Sequence, residues 1–386
     1  MDPAWLLVLL PVAAASGWFA ASASNIRFFK RKKVPAVYLQ GLNYLLNQQN
    51  DKAIELFLNM LEIGRETIEI HLTLGKLYRR RGEIERATLI HESLINRSDL
   101  TSEQRLQALF ELGCDFYAAG ILDRAEKIFT ELSEDSNYEE QTCEFLRDIY
   151  EQEKEWDKCI EITRELDRKS SKDYSSHLAH YHCEKVEKFI QQGAYDDAEA
   201  YSQEVATIAP NCVRAILQIG RIKAIRGDHR GAISTWRTLE QKNPEYVTES
   251  VGLVTESYKA IQAMDELTEF LKSTAEAASS VPLAVAYVDV LEAQQNHAMA
   301  EKFLIGWIRN RPSLHCLHRL ILLKVKSSGD ENLASDFMLI ENLIRSELEV
   351  ASRYECHQCG YTAKTLHWQC PGCRGWDTIT ASPLPG

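Results

Sequence analysis

No phosphate-binding loop of the form G-x-x-x-x-G-K-[ST] occurs in this chain. Nor does a G-x-G-x-x-G fingerprint, an H-E-x-x-H helix or a G-x-S-x-G elbow. Nothing therefore points to a bound nucleotide, a dinucleotide cofactor, a zinc protease or a nucleophilic serine, and no enzymatic activity is expected. Positive charge is also scarce. Lys and Arg number 44 against 56 Asp and Glu, for a net charge of -12, which argues against phosphate-dominated binding of nucleic acid. A dense disulfide framework is missing: Cys114, Cys143, Cys159, Cys183, Cys212 and Cys316 are scattered. That usage suits a reducing compartment, in which lone cysteines act as small apolar residues. The charged and apolar fractions, 26% and 45%, exclude a chain disordered by composition.

Charge is absent altogether from Pro3 to Ile26, and Arg27, Lys30, Arg31, Lys32 and Lys33 follow. About 20 apolar residues of helix cross a hydrocarbon core. Basic residues stay on the cytoplasmic side. The reading is a transmembrane anchor at 1–26 and a basic juxtamembrane linker at 27–34, with the start outside and the bulk of the chain in the cytoplasm. A cleavable signal peptide is the rival, because Ala21-Ser22-Ala23 resembles a processing site. Its positive n-region is missing, however, and the basic residues lie on the wrong side. A buried core helix is the third reading.

From Pro35 one pattern returns. Gly41, Tyr44, Ala53 and Phe57 are echoed by Gly75, Tyr78, Gly82 and Ala87, and again by Gly113, Phe116, Gly120, Ala125 and Phe129. The small-residue position recurs at 53, 87, 125, 159, 198, 232, 267 and 300, with steps of 34, 38, 34, 39, 34, 35 and 33. A period near 34 is that of tetratricopeptide helix pairs. Small residues let the two helices approach, and Gly82, Gly120, Gly193 and Gly227 supply the turn between them. Pro210 and Pro244 stop second helices. The expected fold is all-α: a tetratricopeptide-repeat solenoid over 35–350, of about eight to nine repeats, with a concave groove. Whether it self-associates is left open.

The chain closes with Cys356-His357-Gln358-Cys359, ten spacer residues, and Cys370-Pro371-Gly372-Cys373. Two C-x-x-C pairs at that distance suit one tetrahedral soft-ligand ion held by Cys356, Cys359, Cys370 and Cys373, with zinc favoured over iron. The segment 351–386 is too short to bury a core of its own and needs such a staple. Gly360 and Gly372 are expected to ease the two knuckles. Four sulfurs close the shell, so the site is structural, without the open position of a catalytic metal. Trp368 and Trp376 are expected to pack this rubredoxin-like, zinc-ribbon cap onto the last helices, around Phe337 to Leu348.

Other clusters have plainer readings. Fourteen acidic residues lie between Glu131 and Asp167. They suit a solvated face, or else a docking surface for a basic segment. His177, His180, His182 and Cys183, like His315, Cys316 and His318, read as ordinary packed side chains rather than ligands.

Taken together, the stretch Leu10 to Trp18, the stretch Tyr38 to Asn47 with Asp51-Lys52-Ala53-Ile54, and Cys370-Pro371-Gly372-Cys373-Arg374-Gly375-Trp376 resemble the lipopolysaccharide assembly protein B family of Gram-negative bacteria. The order of anchor, repeats and tetracysteine module matches throughout. The resemblance implies a single-pass adaptor of the inner membrane, with a periplasmic N-terminus and no activity of its own. It would promote degradation of the lipid A pathway deacetylase by the membrane ATP-dependent metalloprotease. A lipopolysaccharide-sensing inner-membrane protein would restrain it. The residues alone also suit a generic tetratricopeptide scaffold, a rubredoxin-like redox protein or, with too few basic residues, a nucleic-acid zinc ribbon.

Overall fold

The computed structural model describes parts of residues 40–56, and residues 68–381 apart from 136, 170, 328–330 and 351. The expected anchor at 1–26 and linker at 27–34 lie outside the described residues. Among the described residues, no helix is long and apolar enough to cross a membrane. The chain divides into two compact units, 1–138 and 139–386.

In the first unit, helices α1 (Ile68–Arg80) and α2 (Ile84–Ile95) form one antiparallel pair, and α3 (Ser102–Ala118) and α4 (Leu122–Leu132) form the next. Thr101 starts α3 with a reciprocal capping box to Gln104, which satisfies two otherwise orphan donors. A Cβ on Gly113 would lie 2.7 Å from Phe129 Cε1, and one on Gly75 would lie 2.3 Å from His91 Nε2. Glycine on the first helix thus seats a ring from the second. At His91 that ring is polar and fully buried, so it needs a partner. Its Nδ1 faces Asp115, which also accepts from Arg79 at 2.7 Å. Arg79 and Lys76 both reach the buried Glu111 at 2.7 Å. Every charge in this buried group has a countercharge, which burial requires.

The second unit continues with α5 (Glu139–Glu153), α6 (Trp156–Lys169), α7 (Ser175–Gln192), α8 (Tyr195–Ile208), α9 (Val213–Ile225) and α10 (His229–Arg237). After the short α11 (Leu239–Lys242) come α12 (Val247–Ala260), α13 (Met264–Ala278), α14 (Val281–Ala293), α15 (His297–Asn310), α16 (Leu314–Ser327) and α17 (Glu331–Val350). A Cβ on Gly220 would lie 2.1 Å from Trp236 Nε1. That indole N–H instead donates to Leu217 O at 3.1 Å. Pro210 falls just past α8, and Pro244 opens a single 3₁₀ turn after α11.

The period is visible in burial. All eight positions of the small-residue series, Ala53, Ala87, Ala125, Cys159, Ala198, Ala232, Leu267 and Ala300, are 0% exposed. Five residues before each one, from Ala87 onward, stands a left-handed residue at the turn between helices. Glycine fills that place at 82, 120, 193 and 227, as expected. Lys154, Gln262 and Gln295 fill it in the other pairs, with φ of 58°, 56° and 59°. Helix pairing there overrides a local cost of about 1 kcal/mol.

Past α17 the chain changes character. Strand β1 (Tyr354–Cys356) lies between β2 (Thr362–Ala363) and β3 (Ile379–Ala381), antiparallel to both. Tyr354 aligns with Ala363 on one side and with Ala381 on the other.

Candidate metal centre

The four cysteines sit on two knuckles with one hydrogen-bond pattern. In the first, Cys356 N donates to Tyr361 O (2.8 Å) and Gly360 N to Cys356 O (2.9 Å). In the second, Cys370 N donates to Gly375 O (2.9 Å) and Arg374 N to Cys370 O (2.8 Å). The equivalent fifth residues, Gly360 and Arg374, are both left-handed, with φ of 74° and 60°. Gly372 was also expected to ease its knuckle by making that turn. Gly372 does not have positive φ; its missing Cβ leaves room for Cys359 Sγ, which would stand only 3.2 Å away.

This brings the sulfurs together. Cys356 Sγ is 3.7 Å from Cys373 Sγ, and Cys359 Sγ is 3.6 Å from Cys370 Sγ. All four lie within 4.8 Å of one another. A tetrahedron with metal–sulfur bonds near 2.3 Å has edges of about 3.8 Å, so the donor set fits one ion. Cys356 and Cys370 are buried, Cys373 is half-buried and Cys359 is exposed. No other group of three or more metal-type side chains clusters this way among the described residues.

Among the described residues, the ring contacts of Trp368 and Trp376 fall on His180, Tyr181 and Tyr246 and not on Phe337 to Leu348. The module folds back onto α5, α7 and α12, which corrects the expected docking around Phe337 to Leu348. Trp376 stacks on His180 of α7, with ring centroids 4.6 Å apart and planes at 16°, and meets Tyr181 edge-on at 6.0 Å. The next residue, Asp377, accepts a 2.8 Å hydrogen bond from Ser176 and lies 2.8 Å from His180 Nε2. Burial pushes the Asp377 carboxyl up, but His180 and Ser176 hold it below its ordinary range. Gln369 donates to Glu151 of α5 at 2.8 Å, and Tyr181 donates to the other oxygen of the same carboxylate. Tyr354 donates to Glu249 of α12 at 2.5 Å, and Trp368 stacks near Tyr246 at 6.2 Å. The apolar rings supply area and the carboxylates supply register.

The acidic run departs in part from the expected solvated face. Glu151 belongs to the acidic run, yet it is not part of a solvated face. Burial raises its pKa, and it holds the module. Glu139 and Glu144 of that run pair with Lys169 and Lys172 within their own repeat. On α7, His180 anchors the module, and His182 lies 3.5 Å from Glu204. His318 pairs with Glu341 at 2.9 Å, and Cys316 is fully buried, as ordinary packing implies. His180, Glu151 and Glu249 were not singled out as docking residues; the one sequence signal was the histidine cluster itself.

A rubredoxin metal binding domain matches residues 354–381. Lipopolysaccharide assembly protein B of Escherichia coli (strain K12) is 31% identical over 383 residues, covering 99% of this chain and 98% of that protein. The Haemophilus influenzae protein of the same name is 30% identical over 384 residues, with 97% of each covered. Among solved structures, the C-terminal part of a TPR repeat-containing protein from Cytophaga hutchinsonii superposes with a TM-score of 0.38 at 14% identity. It covers 69% of this chain and 99% of that one.

Proposed function

Because the chain belongs to the lipopolysaccharide assembly protein B family, we propose that it is a membrane-tethered adaptor that lowers lipid A synthesis by presenting the pathway's deacetylase to the membrane ATP-dependent metalloprotease. The repeats hold protein, and the apolar N-terminal stretch keeps them beside the protease on the cytoplasmic face of the inner membrane. Tethering raises the effective concentration of client at the protease without any new contact. A lipopolysaccharide-sensing membrane protein opposes this action.

The observation that supports an adaptor over a catalyst is the closed sulfur shell on a module that is itself docked by Trp376, Asp377 and Tyr354. Cys356, Cys359, Cys370 and Cys373 would hold one zinc ion, which supplies folding free energy and leaves no position for substrate. The metal fixes the module, and the module braces α5, α7 and α12.

The test is the deacetylase half-life after a translation block, in cells depleted of this protein. Depletion should lengthen it several-fold, and an unchanged half-life would remove the client. Elemental analysis of protein purified without added metal should give one zinc per chain; stoichiometric iron and a red colour would favour the redox reading.

A further inference from the structure

A groove of about 920 Å³ lies between α13 and α15, and Tyr287 of α14 lines it too. Its floor is aromatic. Tyr287 meets Phe303 edge-on, with ring centroids 4.7 Å apart, and Phe303 meets Trp307 at 5.6 Å. Met299 beside them is 47% exposed, although methionine is ordinarily covered. Gly306 leaves the groove open on α15: a Cβ built there would meet nothing within 4 Å.

Its rim is basic. Lys272, Lys302 and Arg311 line the groove with a single acid, Glu276. Arg311 lies over the Trp307 ring at 4.8 Å and reaches the Glu276 carbonyl oxygen at 3.5 Å. Lys272 and Lys302 are exposed and form no ion pair among the described residues. The cavity beside Arg230 and Arg237 is different, because Glu266 and Glu240 already pair with those two guanidiniums. The chain carries a net charge of -12, yet here it leaves two lysines without a carboxylate around an accessible apolar floor. The location matters as well. The module takes first helices of successive pairs, α5, α7 and α12. The groove lies instead between second helices, so it does not use the face that the module covers.

We propose that this groove docks a short acidic segment of another protein, one that carries a bulky apolar side chain among its carboxylates. The apolar side chain sits over Gly306, between Met299 and Phe303, and the carboxylates meet Lys272, Lys302 and Arg311. Burial of that one anchor supplies most of the affinity. Exposed ion pairs add little each, but together they speed encounter and reject basic segments. The unbranched Met299 thioether adapts to the shape of the anchor. The proposal rests on the adaptor reading only in taking the array to bind protein. Which client reaches the protease is tested separately, by the deacetylase half-life.

The experiment pans a phage-displayed library of random short peptides on the full chain, as purified in detergent, with Gly306→Leu as the counter-target. Leucine suits a helix better than glycine does, and the space at this Cβ is open, so the variant should fold and fill the groove. Enriched peptides should be rich in Asp and Glu, carry one aromatic or large aliphatic residue, and fail to bind Gly306→Leu. The enriched sequence, synthesised with a fluorescent label, should bind the parent chain in an anisotropy titration and weaken as salt rises. The double variant Lys272→Glu, Lys302→Glu should bind it about tenfold more weakly, and alanine in place of the peptide's anchor should cost about tenfold or more. Both lysines are exposed, so this double variant keeps the test decisive if leucine disturbs α15. A basic consensus, no enrichment, or binding that neither variant changes would overturn the proposal. Displacement of the peptide by phosphatidylglycerol vesicles would overturn it in favour of a lipid surface. A parent chain that sediments as a dimer, and becomes a monomer in Gly306→Leu, would overturn it in favour of a second copy.

Discussion

In the α9–α10 pair, Gly220 makes room for Trp236, and the indole N–H finds Leu217 O. In the module, Gly372 makes room for a sulfur, and the backbone wraps each cysteine pair with the same two hydrogen bonds. Both regions use a missing Cβ to bring a large atom close. They differ in what stands behind it. The indole belongs to a cluster that runs on through Tyr258, Leu271, Tyr287 and Trp307, so each helix pair leans on its neighbours. The apolar cluster centred on the module's own knuckles and strands is small: Tyr354, Cys356, Ala363, Cys370 and Ile379, with Leu366 and Cys373 against them. One region spreads its stability over many contacts; the other would concentrate it in one ion held by four sulfurs.

That contrast fails or holds first at the metal. Chelation, or Cys370→Ser, forfeits on the order of 10 kcal/mol of binding free energy. The module should unfold while the helical circular dichroism signal persists, and tryptophan emission should shift red as Trp368 and Trp376 lose their packing. Loss of both signals together would show that the repeats need the module.

Next comes the joint between the regions. Trp376→Ala should cost about 3–5 kcal/mol and free the module from α7 without releasing its metal. Elemental analysis should still find one ion per chain, while limited proteolysis should cut between α17 and β1 far faster than in the parent protein.

A smaller effect follows acidification. Burial pulls His177, beside this joint, down to about 4, against about 6.5 in an unfolded chain. As pH falls below 6.5 the unfolded state takes the proton first, so stability present above 6.5 is lost progressively towards pH 4. Allowing for partial exposure of the ring, the loss is about 2 kcal/mol. Thermal melts across that window should show it, and His177→Gln should flatten the slope.

The smallest test compares the two knuckles. Gly360→Ala should cost about 1 kcal/mol, because φ there is left-handed, whereas Arg374→Gly should stabilise by a similar amount. Rates of metal loss to a chelator should move in opposite directions.

The repeats were legible because their constraint is local. Helix pairs that must touch need small residues at fixed spacing, and all eight such positions proved fully buried. The clustering of the four cysteines was legible for the same reason, since a knuckle spans only a few residues. The left-handed turns at Lys154, Gln262 and Gln295 were hidden, because pairing imposes a backbone that those residues do not advertise. The docking of Trp376 was hidden more deeply. Chain proximity pointed to α17, whereas the surface that fits the indole is made by His180 and Tyr181, with Glu151 beside them. An acidic residue in a charged run and a histidine in a cluster give no sign of which distant indole they will meet.

Stacked helix pairs ordinarily fold from near-neighbour contacts, quickly and from any starting point. The fold-back alters that timetable. The bonds of Glu151 to Gln369 and of Ser176 to Asp377 span 218 and 201 residues, and each must wait for the module to be made. On the ribosome, α5 and α7 would emerge and pair long before their last partners are made. The middle of the array would then reach its final stability only after residues 369–377 are made and the module has folded. A protein truncated between α17 and β1 would keep its helices and leave a hydrophobic face around His180 and Tyr181 open to chaperones and proteases.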